Sequence, residues 1–114
     1  MKNHLVKTTS VDSLAEMLSQ SAQQPVVIFK HSTTCPISAA AYDEMEQFDG
    51  DVALVEVQSA RELSRQIERQ TGIPHESPQV LVLANGKVVW NASHWKVKAD
   101  AVAKAVSEAK NGHP

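Results

Sequence analysis

Cys35 is the only cysteine of this 114-residue chain, and it stands in Thr34-Cys35-Pro36-Ile37-Ser38, between the apolar run Val26-Val27-Ile28-Phe29 and a helix-like stretch. A thiol that follows a strand and opens a helix faces unpaired backbone N–H groups and the positive end of the helix dipole, which favour thiolate over thiol. Cys35 is thereby placed as a nucleophile. A free cysteine thiol, at a pKa of about 8.5, is mostly protonated at neutral pH, so further donors are needed. Ser38 lies one helical turn on, where its hydroxyl and its backbone N–H can both face the sulfur. Pro36 suits the first helical position, because it lacks the N–H that would be unpaired there. Lys30 and His31 would add positive charge nearby. Two plainer readings stand beside these: Cys35 as a small buried hydrophobe, and Ser38 as no more than a helix cap.

The serine at position 38 limits the reaction. A cysteine there would close an intramolecular disulfide and release a bound partner, which serine cannot do. After attack on a mixed disulfide, Cys35 would keep the transferred group until an outside thiol removed it. A second element of interest is Ser77-Pro78, which leads into Val80-Leu81-Val82-Leu83; proline is expected there only at a strand start or edge. Its peptide bond is open to the cis form, which would turn the Ser77 backbone toward Cys35, ready to pair with an extended peptide or thiol ligand.

The elements that must position these residues follow from periodicity. A short strand is expected at Leu5-Val6-Lys7, then a helix capped near Thr9/Ser10 with Val11, Leu14, Ala15 and Leu18 at helical spacing, ending near Ser21. Val26 to Phe29 reads as a strand covered on both faces. The helix after Cys35 carries Ile37, Ala41, Met45 and Phe48 on one stripe and closes at Asp49-Gly50, with Gly50 in the left-handed position. Val52 to Val57 is a second core strand; the next helix is set by Leu63 and Ile67 and stops at Thr71-Gly72. Asn85-Gly86 between Val80–Leu83 and Val88-Val89-Trp90 predicts a hairpin, and Val102, Ala105, Val106 and Ala109 a terminal helix. The expected fold is α/β: a mixed sheet of four to five strands flanked by helices on both faces, one domain over residues 1–114.

Composition narrows the function classes. The net charge is −2, spread without a basic cluster that could track phosphates, which argues against a nucleic-acid partner. No apolar run approaches the ~20 residues of a membrane span, and Met1-Lys2-Asn3-His4 leads into no signal-peptide core, so a cytoplasmic location is expected. The histidines His4, His31, His75, His94 and His113 show no paired ligand spacing, and no metal site is expected. His31 and His75 could approach the cysteine and tune it or contact a ligand carboxylate, or be solvated loop residues. Trp90 and Trp95 read as covers for a core edge. Glu62, Arg65, Glu68 and Arg69, and likewise Asp43, Glu44 and Glu46, read as solvated surface.

Cys35-Pro36-Ile37-Ser38 after a strand, with Ser77-Pro78 at the head of a hairpin, resembles the thioredoxin superfamily over nearly the whole chain. More narrowly, Thr34-Cys35-Pro36-Ile37-Ser38 with His75-Glu76-Ser77-Pro78-Gln79-Val80 and Ala92-Ser93-His94-Trp95 is similar to the monothiol bacilliredoxin family of the YtxJ type. The resemblance implies a thioredoxin-like fold and a cytoplasmic monothiol disulfide oxidoreductase of bacillithiol-using bacteria that strips bacillithiol from S-bacillithiolated client proteins. On that reading Cys35 takes the bacillithiol, Pro36, Ile37 and Ser38 form the activating helix start, and Thr34, Ser77 and Pro78 flank the substrate. Bacillithiol is then a thiol co-substrate rather than a bound cofactor, and free bacillithiol or another redoxin supplies the resolving thiol. Thioredoxins proper differ: Phe29 stands at their buried acid, Thr34 at the tryptophan before the nucleophile and Ser38 at the resolving cysteine, so general dithiol reduction is not expected. Two rivals remain from other classes. One is an iron-sulfur carrier like the monothiol glutaredoxins, although those carry Gly-Phe where this chain has Pro36-Ile37. The other is a non-catalytic module that holds a peptide beside Ser77-Pro78.

Overall fold

The computed structural model describes residues 4–111, so Met1-Lys2-Asn3 and His113 lie outside the described residues. Strands β1 (Leu5–Lys7), β2 (Val26–His31), β3 (Val52–Glu56), β4 (Gln79–Ala84) and β5 (Lys87–Ser93) form one sheet in the order β1-β3-β2-β4-β5. β1, β3 and β2 run parallel; β4 is antiparallel to β2 and β5 to β4. Helices α1 (Asp12–Gln20), α2 (Pro36–Gln47), α3 (Arg61–Thr71) and α4 (Ala99–Lys110) complete the α/β layers, with a 3-10 turn at His94–Lys96.

Each face of the sheet has its own core, which is why the central strands read as continuous apolar runs rather than alternating ones. Val27, Phe29, Leu54, Val80 and Val82 pack with Ala41, Met45 and Phe48 of α2 and Val102 and Ala105 of α4. On the other face Ile28, Val55, Leu81 and Leu83 meet Leu14 and Met17 of α1 and Leu63 and Ile67 of α3. Burial of these side chains, at about 1.5–3 kcal/mol each, holds the sheet rigid beneath its loops.

The turn chemistry behaves as expected at two places. Gly72 ends α3 with φ 74°, and Asn85 and Gly86 take φ 54° and 77° between β4 and β5, so both central residues of the hairpin are left-handed. β5 runs three residues past Trp90, to Ser93. Elsewhere the expectations need correction. Gly50 is not left-handed: α2 ends at Gln47, Phe48 turns to an extended conformation, and its ring covers Gly50 so closely that a Cβ there would sit 2.9 Å from Phe48 Cε2. Ser10 does not cap α1 in the usual way; its Oγ accepts the Asp12 N–H at 3.2 Å, while Val11 is the residue at the cap. The buried stripe of α1 is Leu14 and Met17, with Val11 and Ala15 turned outward. Glu44 is no free surface acid: its carboxylate accepts the Ala99 N–H at 2.8 Å and so caps α4 from α2. Trp90 packs against the core as expected, but Trp95 is 63% exposed and covers nothing.

Topology decides which loops meet. β2 and β3 are parallel, so the segments that follow them open on the same sheet edge. β4 runs back against β2 with Gln79 opposite Lys30, so the segment leading into β4 lies on that edge as well. Residues 32–35, 57–60 and 73–78 therefore converge, at the carboxyl ends of the parallel strands where ligands of open α/β sheets bind.

Candidate active site

Cys35 is the N-cap of α2, in extended conformation (φ −105°, ψ 126°), with Pro36 as the first helical residue. Its carbonyl accepts the Ala39 N–H at 3.1 Å, which begins the helix and leaves the side chain at the open N-terminus. The sulfur is a free thiol on a partly exposed residue. Its pKa is lowered first by the backbone N–H of Ser38, then by that of Ile37, against a small opposing effect of desolvation, with the Ser38 hydroxyl helping. Ser38 is fully buried, and its Oγ accepts the Ser32 N–H at 3.2 Å. With its oxygen held from that side, its proton is free to point at the sulfur.

Neither Lys30 nor His31 adds to this. Lys30 and His31 sit on opposite faces of β2, because successive strand residues alternate. His31 packs among the rings of Phe29 and Tyr42, at centroid distances of 5.5 and 5.0 Å, and burial lowers its pKa, so the neutral form is favoured there. Lys30 is fully buried on the α3 side, where its ammonium donates to His75 Nδ1 at 3.0 Å. Burial pushes its pKa down to about 8, opposed by the Glu68 carboxylate. Neither side chain is among the groups that shift the Cys35 thiol.

The segment before Cys35 is pinned by a residue that sequence reasoning passed over. Gln58, just beyond β3, donates from Nε2 to Ser32 Oγ (2.8 Å) and Thr34 Oγ1 (3.3 Å), and its Oε1 accepts the Thr33 N–H (3.3 Å). One side-chain amide thus fixes three residues ahead of the nucleophile. The signal for it was topological: a polar residue at the end of a strand parallel to β2 must stand beside the loop that follows β2.

The Ser77-Pro78 bond is cis. Two contacts hold this loop from outside. The Pro78 carbonyl accepts the His94 N–H at 2.9 Å, and the His94 imidazole pairs with the Glu76 carboxylate at 3.2 Å. His94 takes φ 56° to do so, in the left-handed region. This gives the Ala92-Ser93-His94-Trp95 motif a physical role as a buttress for the proline loop. From within, Gln79 Nε2 donates to the Pro74 carbonyl at 3.0 Å, and the His75 N–H donates to Glu68 Oε2 at 3.1 Å. His75 is an exposed loop residue, as one sequence reading has it, but its ring and its backbone are both held by hydrogen bonds. Burial and then the Lys30 charge lower its pKa, which leaves the ring neutral near pH 7. Ser77 Oγ is buried with no hydrogen-bond partner among the described residues. Glu62 does form the expected surface pairs, with Arg69 at 3.0 Å and Arg65 at 3.5 Å, whereas Glu68 belongs to the proline-loop network.

No group of three or more His, Cys, Asp or Glu side chains suited to a metal occurs among the described residues, and no helix is long and apolar enough to cross a membrane. A deprotonatable sulfur at an open helix N-terminus, beside a cis-proline loop, is equipped for thiol-disulfide exchange.

Comparison with known proteins agrees. A solved thioredoxin-fold oxidoreductase candidate is 37% identical, with a TM-score of 0.82 over 90% of this chain and 93% of its own. Fasciola hepatica thioredoxin superposes with a TM-score of 0.72 at 12% identity, over 92% of this chain and 99% of its own. A point mutant of the thioredoxin from Halobacterium salinarum gives 0.69 at 15% identity, over 93% and 90%. These two distant likenesses establish the thioredoxin fold alone. The family described as monothiol bacilliredoxin BrxC matches residues 6–102, which include all three of the converging loops. With its fold, its thiol and that match in agreement, the chain is a thiol oxidoreductase and belongs to the monothiol bacilliredoxin family.

Proposed function

We propose that the protein is a monothiol disulfide oxidoreductase that removes bacillithiol from S-bacillithiolated proteins. The observation that carries this reading is the setting of Cys35: a thiol of lowered pKa at the start of α2, with Ser38 where a resolving cysteine would stand and no other thiol in the chain. In the first step the Cys35 thiolate attacks the bacillithiol sulfur of a client mixed disulfide. A new Cys35–bacillithiol disulfide forms, the old S–S bond breaks, and the client sulfur leaves with the electron pair and takes a proton from water. One disulfide replaces another, with no net oxidation.

The chain's own groups have distinct tasks in that step. The Ile37 and Ser38 N–H groups and the Ser38 hydroxyl stabilise the attacking thiolate, and they lose their charged partner as the bond forms. Thr34, Ser77 and Pro78 flank the approach, with the Ser77 backbone available to an extended client segment. Regeneration requires a second thiol, bacillithiol itself or that of another redoxin, to attack the bacillithiol sulfur and free Cys35. A cytoplasmic setting would supply that reducing pool.

Intact-mass measurement of the reduced protein after incubation with a bacillithiolated client tests this, with a glutathionylated client in parallel. Gain of one bacillithiol on Cys35, matched by loss from the client and little glutathione transfer, is the expected result. Equal transfer of both thiols would keep the chemistry and remove the bacillithiol assignment. Absence of any adduct would refute the enzyme.

A further inference from the structure

A cleft of about 300 Å³ opens beside the active-site loop, between α3, the end of β3 and the proline loop. Gln58, Arg61, Ser64, Arg65, Glu68 and His75 line it. Two of these tie it to the reacting sulfur. Gln58 is the residue that pins Ser32, Thr33 and Thr34, and His75 lies two residues before Ser77. A group attached to the Cys35 sulfur thus has the cleft as a neighbour, across one side-chain amide.

The chemistry of the walls favours anions. Arg61 forms no ion pair among the described residues, and Arg65 shares its carboxylate partner Glu62 with Arg69. Behind them, the buried Lys30 ammonium donates to His75 Nδ1, and Ser64 Oγ contacts that same nitrogen at 3.3 Å. With Nδ1 accepting, the ring proton resides on Nε2, a donor for which the described residues provide no partner. Glu68 is the one acid in the lining; its Oε2 accepts the His75 N–H, and its charge is set against Lys30. The remaining cationic capacity, on two guanidiniums with an imidazole N–H in the same lining, matches a carboxylate-bearing ligand in charge and in donor type. The volume suits the polar body of a small thiol, at the low end of the range for small-molecule sites, and is too small for a folded partner.

We propose that this cleft is the site for the carboxylate-bearing end of the low-molecular-weight thiol that Cys35 exchanges, with Arg61 and Arg65 as its specificity-determining residues and His75 Nε2–H as a neutral donor. The proposal rests on the thiol-transfer reading above. During transfer the small thiol's sulfur bonds to Cys35 as its former disulfide partner leaves with the electron pair, while its acidic end stays in the cleft.

The test is single-turnover transfer onto reduced Cys35 from two small disulfides, bacillithiol disulfide and the uncharged 2-hydroxyethyl disulfide, for wild type and the double variant Arg61→Gln, Arg65→Gln. Both arginines are exposed, so the fold should be retained, and an unchanged Tm verifies it. Expected is a loss of roughly five- to tenfold in the second-order rate for bacillithiol disulfide, from two ion pairs at partly exposed positions. The rate with 2-hydroxyethyl disulfide should stay within about twofold, and 0.5 M salt should erase most of the wild-type advantage. If wild type accepts bacillithiol disulfide and the double variant matches it, the cleft assignment is overturned while the enzyme stands. If the variant loses rate only with a bacillithiolated protein, the arginines meet the client and the proposal also fails. If wild type shows no preference for bacillithiol disulfide over the uncharged one, the cleft and the bacillithiol assignment both fail while exchange at Cys35 stands, whereas no adduct from either disulfide would overturn the thiol-transfer reading.

Discussion

Lys30→Met removes a buried cation from the carboxyl end of β2 while keeping a side chain of similar length. Lys30 is 0% exposed, and burial takes its pKa from 10.5 to about 8. The unfolded chain holds this proton up to about pH 10.5, whereas the folded protein releases it near pH 8. Between those values the unfolded state binds more protons, so stability rises with pH, opposite in sign to the usual surface lysine that gains a partner on folding. At 1.36 kcal/mol per pKa unit, the shift integrated between pH 7 and pH 10 amounts to about 2.5 kcal/mol; relaxation of the surroundings about the ammonium reduces this to roughly 1–2 kcal/mol. Urea unfolding of wild type and Lys30→Met at several values between pH 7 and pH 10 isolates the effect, because every other titrating group is common to both. The stability of wild type relative to the variant should climb by that roughly 1–2 kcal/mol across the window. Ser64 remains to serve His75 Nδ1 in the variant, so the proline loop keeps a partner. Parallel curves for the two proteins would refute the reasoning, since they would mean that the ammonium suffers no desolvation penalty where it sits.

Cys35→Ala should abolish bacillithiol transfer altogether, as measured by intact mass, since the chain has no other thiol. Ser38→Ala should raise the midpoint of the pH profile for iodoacetamide alkylation of Cys35 toward that of an ordinary thiol, because one donor to the thiolate is gone while the Ile37 and Ser38 N–H groups stay; an unmoved midpoint would exclude the hydroxyl from thiol activation. Ser38→Cys should form an internal disulfide under mild oxidation, seen as a loss of about 2 Da and blocked alkylation, and failure to form it would show that residue 38 is not beside the sulfur. Gly50→Ala should destabilise by about 1 kcal/mol, a fall in Tm of roughly 4 °C, because the added methyl would meet the Phe48 ring; an unchanged Tm would mean the ring moves freely.

What the sequence revealed and what it hid divide along physical lines. Periodicity and turn chemistry are local, so the strand-helix alternation, the Asn85-Gly86 hairpin and the Gly72 terminus could be read directly. Ser38 was legible for the same reason, since a residue one turn after an N-cap must face it. Gly50 misled because glycine has two uses, left-handed backbone and room for a neighbour's ring, and only the position of the Phe48 ring separates them. Lys30 misled differently. Read as charge near the thiol, it stands in a run covered on both faces, and a lysine in such a run is buried wherever it points. Its partner His75 lies 45 residues further along, beyond any local pattern. Gln58 and the cleft were hidden because they depend on three loops meeting at one edge, which required the strand order.

That strand order also explains how a one-cysteine chain can work with a partner at all. A dithiol enzyme completes its cycle within one helix turn, so its surroundings need only release the product. On the proposed reading the Cys35 adduct persists, held by its own disulfide, until an outside thiol arrives, and the site has to orient it yet leave its sulfur open to attack. The two demands fall on different parts of the structure. Openness comes from α2: Cys35 stays partly exposed at the cap, and Pro36 keeps the helix start free of a competing N–H. Orientation of the small thiol has to come from elsewhere, because the donors of α2 face the sulfur alone. The loops after β3 and before β4, with α3 between them, present the amide of Gln58, two arginines and the neutral His75 on the same edge. A serine at position 38 and a polar cleft next to the nucleophile are thus complementary. If Ser38→Cys were combined with Arg61→Gln and Arg65→Gln, the internal disulfide would expel the small thiol, and the cleft would act only on the first attack. That triple variant should release client thiol roughly five- to tenfold more slowly than Ser38→Cys alone, as the double variant does beside wild type, and an equal rate would show that the arginines do not orient the small thiol for attack.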